Sequence, residues 1–476
     1  MTQKLVVIGG GPGGYAAAVK ASRAGFDTTL VEEAQLGGTC LNRGCIPSKI
    51  IRQSAQLLGQ IKAANAFGIT LDATPGLDMA RVQKRKETIL NAQRTGVSKL
   101  MAHSNVRVVQ GRGRLHSSQQ VEVVLEDGEL EYLDFDRLIL ACGTVPAALP
   151  DIPFDGERIL SSDHVLELDR LPASVVIIGG GVIGCEFAFM LNEAGVKVTV
   201  VEALDRVLSI PGFDAPGSRL MERAMKKAKI KCLTRALVTE VDADDSGCRI
   251  TIGPSPFCRD QKKAAREQVL EAEKTIVVVG RTPATRGLAL DRAGVETDHR
   301  GFIVTDDHLA TSTPGIFAIG DVGGFGKPML AHTAVYDARI AVANAAGEQR
   351  QANYDTVPSA VFTSPEAAWV GLSQEEAEAA GIQAVSDTLL FRTMGKVQVL
   401  GELDGEARIT SDAVTGRILG VQLVGAHATE LIAEAGLAVQ NHLTIDQLAD
   451  TIHAHPTVSE IMVETAWKTQ KQALHA

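Results

Sequence analysis

The chain has 476 residues, with 47 Lys and Arg against 57 Asp and Glu, a net charge of −10 and 45% hydrophobic residues. At roughly 150 residues per domain this length predicts about three domains, and the apolar content excludes a disordered chain. The acidic balance without a basic tract, and the 4% aromatics, argue against nucleic acid or an anionic membrane as partner; no apolar run reaches the about 18 residues of a membrane span.

Met1-Thr2-Gln3-Lys4 leads directly into an apolar strand and leaves no room for a signal or transit peptide, so a cytoplasmic enzyme is expected. The strongest signal is an internal repeat at an offset of 170 residues: KLVVIGGGPGGYAAAVKASRAGFDTTLVEE (4–33) and SVVIIGGGVIGCEFAFMLNEAGVKVTVVEA (174–203). Each predicts a strand, a glycine turn, a helix, a Gly stop, a second strand and an acid. The repeat aligns Gly9, Gly11, Gly14 and Glu32 with Gly179, Gly181, Gly184 and Glu202, each acid lying 18 residues past the third glycine. In such a fingerprint the first Gly makes the tight turn, the second admits a pyrophosphate and the third lets helix pack on strand. The pyrophosphate faces unpaired N–H groups and the positive end of the helix dipole, and the acid accepts from a ribose 2′-OH. A carboxylate there repels a 2′-phosphate, so the second unit is expected to prefer NAD to NADP; Arg206 nearby reads as surface charge. The plain alternative is a pair of ordinary α/β turns.

Between the units lies GGTCLNRGCIPSKI (37–50), in which Cys40 and Cys45 are the only close pair among seven cysteines. In an unbroken helix, positions five apart point about 140° away from each other, too splayed for a disulfide. Gly44, directly before Cys45, allows the backbone to bring them together. Lys49, one turn beyond Cys45, is a candidate cation to lower a thiol pKa. A zinc site would need two more ligands, which are not nearby; two unrelated buried thiols are the remaining alternative. Cys142, Cys185, Cys232, Cys248 and Cys258 read as small core or surface residues. An odd cysteine count in a long chain is no secreted disulfide framework.

Further along, LDFDRLILACGTVP (133–146) predicts a strand with a Gly stop, KTIVVVGRTP (274–283) another, and TPGIFAIGDV (313–322) a turn, a strand and an acid. The polar PSPFCRDQKKAAREQ (254–268) reads as a hairpin tip or loop. From about Tyr354 the texture changes: PSAVFTSPEAAWVGLS (358–373) and RITSDAVTGRILGVQLVG (408–425) predict a small antiparallel sheet, with amphipathic helices near 427–439 and 444–452. In HAHPTVSE (453–460), His455 suits proton transfer near neutral pH and Glu460 can orient it. His453 reads as a satisfied or exposed neighbour.

These motifs, in this order over nearly the whole chain, resemble the flavin-dependent pyridine nucleotide–disulfide oxidoreductases, and within them the lipoamide branch. The resemblance implies an α/β fold with two Rossmann-like dinucleotide-binding domains and a C-terminal α+β dimerisation domain. It implies an FAD-binding domain at 1–148, an NAD-binding domain at 149–275, a central segment at 276–352 completing the FAD site, and an interface domain at 353–476. Cys40 and Cys45 would form the redox-active disulfide, served by His455 and Glu460 of the opposite subunit. FAD and NAD would be held by Gly9, Gly11, Gly14, Glu32, Lys49, Gly143, Asp321 and Ala331, with Gly179, Gly181, Gly184, Glu186, Glu202, Val238, Gly280 and Arg281. Lys49 paired with Glu186 would lie beside the flavin ring. The expected reaction oxidises protein-bound dihydrolipoamide with NAD⁺, the partners being a lipoyl-bearing acyltransferase or carrier protein and a second copy of the chain.

Four positions depart from the family pattern: Arg43 between the cysteines, Cys142 where Thr is usual, Ala284 where Asn is common, and a longer loop at Gly323-Gly324-Phe325. None removes a required chemical group. Rival readings are a reductase for glutathione or a related disulfide, and a flavin- and NAD-binding sensor without turnover. Glu202 argues against an NADP-linked form, and retention of both cysteines with His455 and Glu460 argues against the sensor.

Overall fold

Leu5, Val6, Val7 and Ile8 are buried on both faces of the first strand, the pattern of a parallel sheet covered by helices on each side. In the computed structural model, which describes residues 2–324 and 326–475, the first unit runs β1 (Lys4–Ile8), α1 (Pro12–Arg23), β2 (Asp27–Glu32), α2 (Gly38–Arg43), α3 (Cys45–Lys62), α4 (Met79–His103) and β3 (Arg107–Ser117). It continues through β4 (Gln120–Leu125), β5 (Leu130–Asp134), β6 (Arg137–Leu140) and β7 (Thr144–Pro146). Phe325, in the loop after Asp321, lies outside the described residues.

The second unit comprises β8 (Ile159–Leu160), α5 (Ser162–Val165), β9 (Ser174–Ile178), α6 (Val182–Glu193), β10 (Lys197–Val201), α7 (Ala215–Lys227) and β11 (Lys231–Leu233), then β12 (Ala236–Asp244), β13 (Gly247–Pro254), β14 (Gln268–Ala272) and β15 (Lys274–Val277). The sequence boundary at 275/276 thus falls inside β15. The polar segment 254–268 is the connection between β13 and β14, as its composition predicts. The chain then returns to the first unit. β16 (Arg281–Pro283) pairs with β7, β17 (Ile316–Ala318) pairs with β6, and α8 (Ala331–Ala345) packs on α1.

The two units repeat at the level of register. β1 pairs in parallel with β2 from Lys4↔Asp27 to Ile8↔Val31, and β9 with β10 from Ser174↔Lys197 to Ile178↔Val201. The first sheet has the order β17-β6-β1-β2-β3-β4-β5 and the second β11-β10-β9-β15-β8, with β12-β13-β14 as a separate antiparallel sheet. In the first sheet β3 pairs in parallel with β2 and then antiparallel with β4, so each unit carries an antiparallel three-stranded extension.

The C-terminal part is an antiparallel sheet of order β18-β19-β22-β21-β20. It is built from β18 (Ser359–Val361), β19 (Glu366–Gly371), α9 (Gln374–Ala379), β20 (Ala384–Leu390), α10 (Gly395–Leu400), β21 (Glu406–Asp412) and β22 (Ile418–Gly425). α11 (Ala428–Gln440), α12 (Ile445–Ala449) and α13 (Glu460–Thr469) follow, and Ile432, Ala435, Leu448, Ile461 and Met462 bury against the sheet. One further apolar cluster matters for the site. Ile51 and Ala55 of α3 join Phe187, Met190 and Leu191 of α6 with Val361 and Trp369 of the C-terminal sheet. Burying side chains of this size is worth about 1.5–3 kcal/mol each, and the cluster fixes α3 beside α6 under the β18–β19 turn. Among the described residues no helix is long and apolar enough to cross a membrane.

Candidate functional site

The two glycine turns have the same construction. Gly9 and Gly179 have φ of +104° and +111°, and an added Cβ would meet the Ala141 carbonyl oxygen at 2.4 Å or that of Val278 at 2.5 Å. Gly14 and Gly184 are closer still: a Cβ there would lie 1.7 Å from the Gly9 carbonyl oxygen or 1.9 Å from that of Gly179. The helix therefore approaches its own turn at a distance only glycine permits. Gly11 and Gly181 cap α1 and α6, whose first N–H groups lack intrahelical partners.

The two acids brace these turns. Glu32 accepts from the Gly10 N–H at 2.6 Å and from the Ala34 N–H at 2.8 Å; Glu202 accepts from the Gly180 N–H at 2.5 Å and from the Leu204 N–H at 2.7 Å. Each carboxylate oxygen keeps a lone pair for a ribose hydroxyl, so bracing and ligand recognition are compatible. Arg206, read from sequence as surface charge, is half-buried instead. Its guanidinium donates to the Leu208, Asp214 and Phe213 carbonyls and to Ser218 Oγ.

Above the first turn opens a cavity of about 880 Å³. It borders Gly9, Gly11, Glu32, Cys40, Cys45, Lys49, Gly143, Glu186, Arg281, Asp321 and Ala331, gathered from both units and from the returning segment. Gly14 lies beneath, against Gly9. Gly179, Gly181, Gly184, Glu202 and Gly280 lie outside this cavity, and Val238 is buried in the core of the second unit. Open space surrounds Gly181 and Gly280, where an added Cβ would meet nothing within 4 Å.

The cysteine pair sits where α2 stops. Arg43 ends that helix, Gly44 breaks the chain direction and Cys45 begins α3, so the splay of a continuous helix is removed. Cys40 and Cys45 meet there as thiols within hydrogen-bonding reach of each other. The hydrogen bond from Cys40 pulls Cys45 down to about 7 against the opposing effect of burial, with the Lys49 charge helping. Cys40 is pushed well up by the same hydrogen bond, by burial and by the Cys45 charge. Cys142, also on the cavity wall, is pushed up to about 12 by burial.

Lys49 Nζ donates to both oxygens of Glu186, at 3.0 and 2.8 Å. Asp321 accepts from Thr144 Oγ1 at 2.9 Å; Arg281 donates to Thr144 Oγ1 and to the Thr144 carbonyl, each at 2.7 Å. Thr144 is thus a hub that sequence reasoning passed over, although it directly follows Gly143 in the GTVP stop. His332 lines the cavity and bonds the Pro358 carbonyl at 2.9 Å; burial lowers its pKa.

His455 and Glu460 are together but apart from this cavity. His455 Nδ1 lies 2.8 Å from Glu460 Oε1, and Glu460 Oε2 accepts from the Thr457 N–H at 2.9 Å. Against burial, which raises it, these bonds hold the Glu460 pKa below the usual carboxylate range. The His455 side chain is 79% exposed, and its Nε2 has no protein partner among the described residues. His453 is satisfied by Glu434 at 2.8 Å and by the Thr451 carbonyl at 2.9 Å.

The family model described as pyridine nucleotide-disulphide oxidoreductase matches residues 3–338, and that of the dimerisation domain of these enzymes matches residues 357–466. Dihydrolipoyl dehydrogenase of Chlamydia pneumoniae is 40% identical over 477 residues, covering 100% of this chain and 99% of that protein. Dihydrolipoyl dehydrogenase 2 of Haloarcula marismortui is 38% identical over 475 residues, covering 99% and 98%. Among solved structures, LpdA from Mycobacterium tuberculosis superposes with a TM-score of 0.88 at 29% identity, covering 98% of this chain and 99% of that one. The Cu(II) complex of the HOCl-induced flavoprotein disulfide reductase RclA from Escherichia coli gives 0.84 at 25% identity, covering 98% and 99%. By matches that span nearly its whole length, with both motif sets in register, the chain belongs to the pyridine nucleotide-disulphide oxidoreductase family.

Proposed function

We propose that this oxidoreductase catalyses dihydrolipoamide + NAD⁺ → lipoamide + NADH + H⁺, acting on a lipoyl group carried by an acyltransferase or carrier protein. The reading rests on one convergence: two thiols, one of them drawn down to about 7, share a cavity with a dinucleotide turn and a Lys–Glu pair. The cofactors are FAD and NAD. The donor set fits FAD at the first turn, with N–H groups of α1 for the pyrophosphate, Glu32 for a ribose, and a cavity within the range of roughly 300–1,000 Å³ usual for such ligands. Lys49 and Glu186 would border its ring, with Gly143, Asp321 and Ala331 on the walls. The turn at Gly179 with Glu202 fits NAD. When bound, FAD supplies the two-electron carrier that links the thiol pair to nicotinamide. In this reading residues 1–148 and 276–352 together hold FAD, 149–275 hold NAD, and 353–476 join two subunits.

With the pair oxidised, His455 of the partner subunit takes the proton of one substrate thiol while Glu460 steadies the imidazolium. The resulting thiolate attacks Cys40 Sγ; the Cys40–Cys45 bond breaks and Cys45 departs as a thiolate. The second substrate thiol then attacks its own chain's bridged sulfur, closing the lipoyl ring and releasing Cys40, which takes up a proton. A Cys45 held at about 7 is a good leaving group near neutral pH, and Lys49 supplies part of that stabilisation. Turnover of free dihydrolipoamide with NAD⁺ should fall at least about a thousandfold in Cys45→Ser. Undiminished turnover in that variant overturns the mechanism, and a preference for glutathione as substrate overturns the choice of lipoyl.

A further inference from the structure

The segment Phe362–Ser364, read from sequence only as part of a small antiparallel sheet, forms the turn between β18 and β19 and reaches the thiol cavity. Its first residue touches both members of the Lys49–Glu186 pair. The Phe362 N–H donates to Glu186 Oε1 at 3.0 Å, and Lys49 Nζ lies 4.3 Å from the centroid of the Phe362 ring. The rest of the turn is gripped further along, one helical turn past Lys49 on α3 and two turns past Glu186 on α6. Arg52 donates to the Thr363 carbonyl at 2.5 Å and lies 3.9 Å from Glu193, while Ser364 Oγ donates to Glu193. Arg52 and Thr363 are almost wholly buried. A turn of the C-terminal sheet is therefore bonded to α3 and α6 at two levels, and the upper level is the charge pair beside Cys45.

We infer that Phe362 is a positioning residue: its ring and N–H hold the Lys49–Glu186 pair in place beside the Cys45 sulfur. This rests on the reading of the cysteine pair given above and extends it to the C-terminal sheet. The physical reason is the mobility of lysine. A flexible four-carbon stem leaves the ammonium free to choose among positions, and the negative face of an aromatic ring at this distance favours one of them. The groups that face Cys45 are Cys40, Lys49, Glu186 and, across the cavity, Arg281. Lys49 favours the thiolate and Glu186 opposes it, so the balance depends on where the ammonium stands. Glu186 stays pinned by the Phe362 backbone whatever side chain occupies the position. Loss of the ring removes its pull on the ammonium and leaves Lys49 to the Glu186 carboxylate alone, and the thiolate becomes harder to form.

The test is a pH titration of the long-wavelength thiolate–flavin absorbance in the two-electron-reduced holoenzyme. Phe362→Leu, which retains an apolar side chain without a π-face, should move the midpoint upward by roughly half a unit or more, and Phe362→Tyr should leave it in place. Stepwise fluorination of the ring at position 362 drains charge from its face with little change of shape, and should raise the midpoint in step; it decides the matter if Phe362→Leu does not fold. An unmoved midpoint across the fluorinated series, or in a Phe362→Leu protein that only melts earlier, shows that the ring merely fills space and overturns the inference. A wild-type enzyme without the absorbance band removes the underlying reading of the cysteine pair, and this inference with it.

Discussion

The turn at Gly9–Gly14 and the turn at Gly179–Gly184 share strand register, glycine contacts and an acid bonded twice to the backbone. Their surroundings differ. Between β2 and β3 the first unit inserts α2, α3 and α4, and α8 returns to pack on α1, so its turn opens into a walled cavity. Between β10 and β11 the second unit has α7, and the space over Gly181 is clear. The repeated motif specifies a phosphate cradle; what the chain wraps around it sets how long a ligand stays. A site that buries most of a ligand's surface retains it, whereas an open cradle exchanges it, as a carrier and a co-substrate respectively require.

The largest effects should come from closing the cradles. In Gly14→Ala the new Cβ lies 1.7 Å from a carbonyl oxygen and in Gly184→Ala 1.9 Å, so each helix must move off its turn at a cost of about 3 kcal/mol or more. Gly14→Ala should purify without flavin absorbance. Gly184→Ala should keep its flavin and show a KM for NAD⁺ raised by about a hundredfold, the affinity equivalent of that energy. Equal loss of flavin in both variants would erase the distinction between an enclosed and an open site.

A smaller effect separates the thiols of the two regions. Cys142 in the first unit and Cys232 in the second are each pushed up to about 12 by burial, while Cys45 is drawn down to about 7. The thiolate is the nucleophile, and a lowered pKa means that it forms at lower pH. In reduced protein freed of flavin, the rate of Cys45 alkylation by iodoacetamide should climb several-fold from pH 6 to a midpoint near 7, while peptide mass spectrometry finds Cys142 and Cys232 unlabelled. A Cys45 profile that is still rising at pH 9 would contradict the polarisation of the pair.

What the sequence displayed was local. Strand, glycine turn and acid lie within one 30-residue stretch, so the repeat was visible as a spacing, and Gly44 announced the break that joins Cys40 to Cys45. What it concealed was distant. Lys49 and Glu186 are 137 positions apart, and Glu186 and Phe362 are 176 apart; no periodicity encodes which helix faces which. Thr144 escaped because a threonine after a glycine stop carries no distinctive pattern. Val238 and Gly280 show the reverse: their positions came from the resemblance, with no feature of their own spacing to support them.

Arg206 gives the finest comparison between the units, since the offset that aligns them sets it against Leu36. In the first unit Leu36 covers Gly10, and a Cβ there would meet its Cδ2 at 2.9 Å; in the second Val207 takes that place over Gly180 at 3.1 Å. Arg206 turns toward the start of α7, and its Nη atoms are spent on three carbonyls and Ser218 Oγ there. A guanidinium so engaged has to break these bonds before it can meet a 2′-phosphate, while Glu202 would still repel that group. Arg206→Met should therefore change the ratio of kcat/KM for NAD⁺ over NADP⁺ by less than about twofold, while the loss of its buried hydrogen bonds lowers stability by about 1–3 kcal/mol in denaturant unfolding. A large swing in nucleotide preference with unchanged stability would mean that the arginine faces the ligand after all, and that the two cradles differ in charge as well as in enclosure.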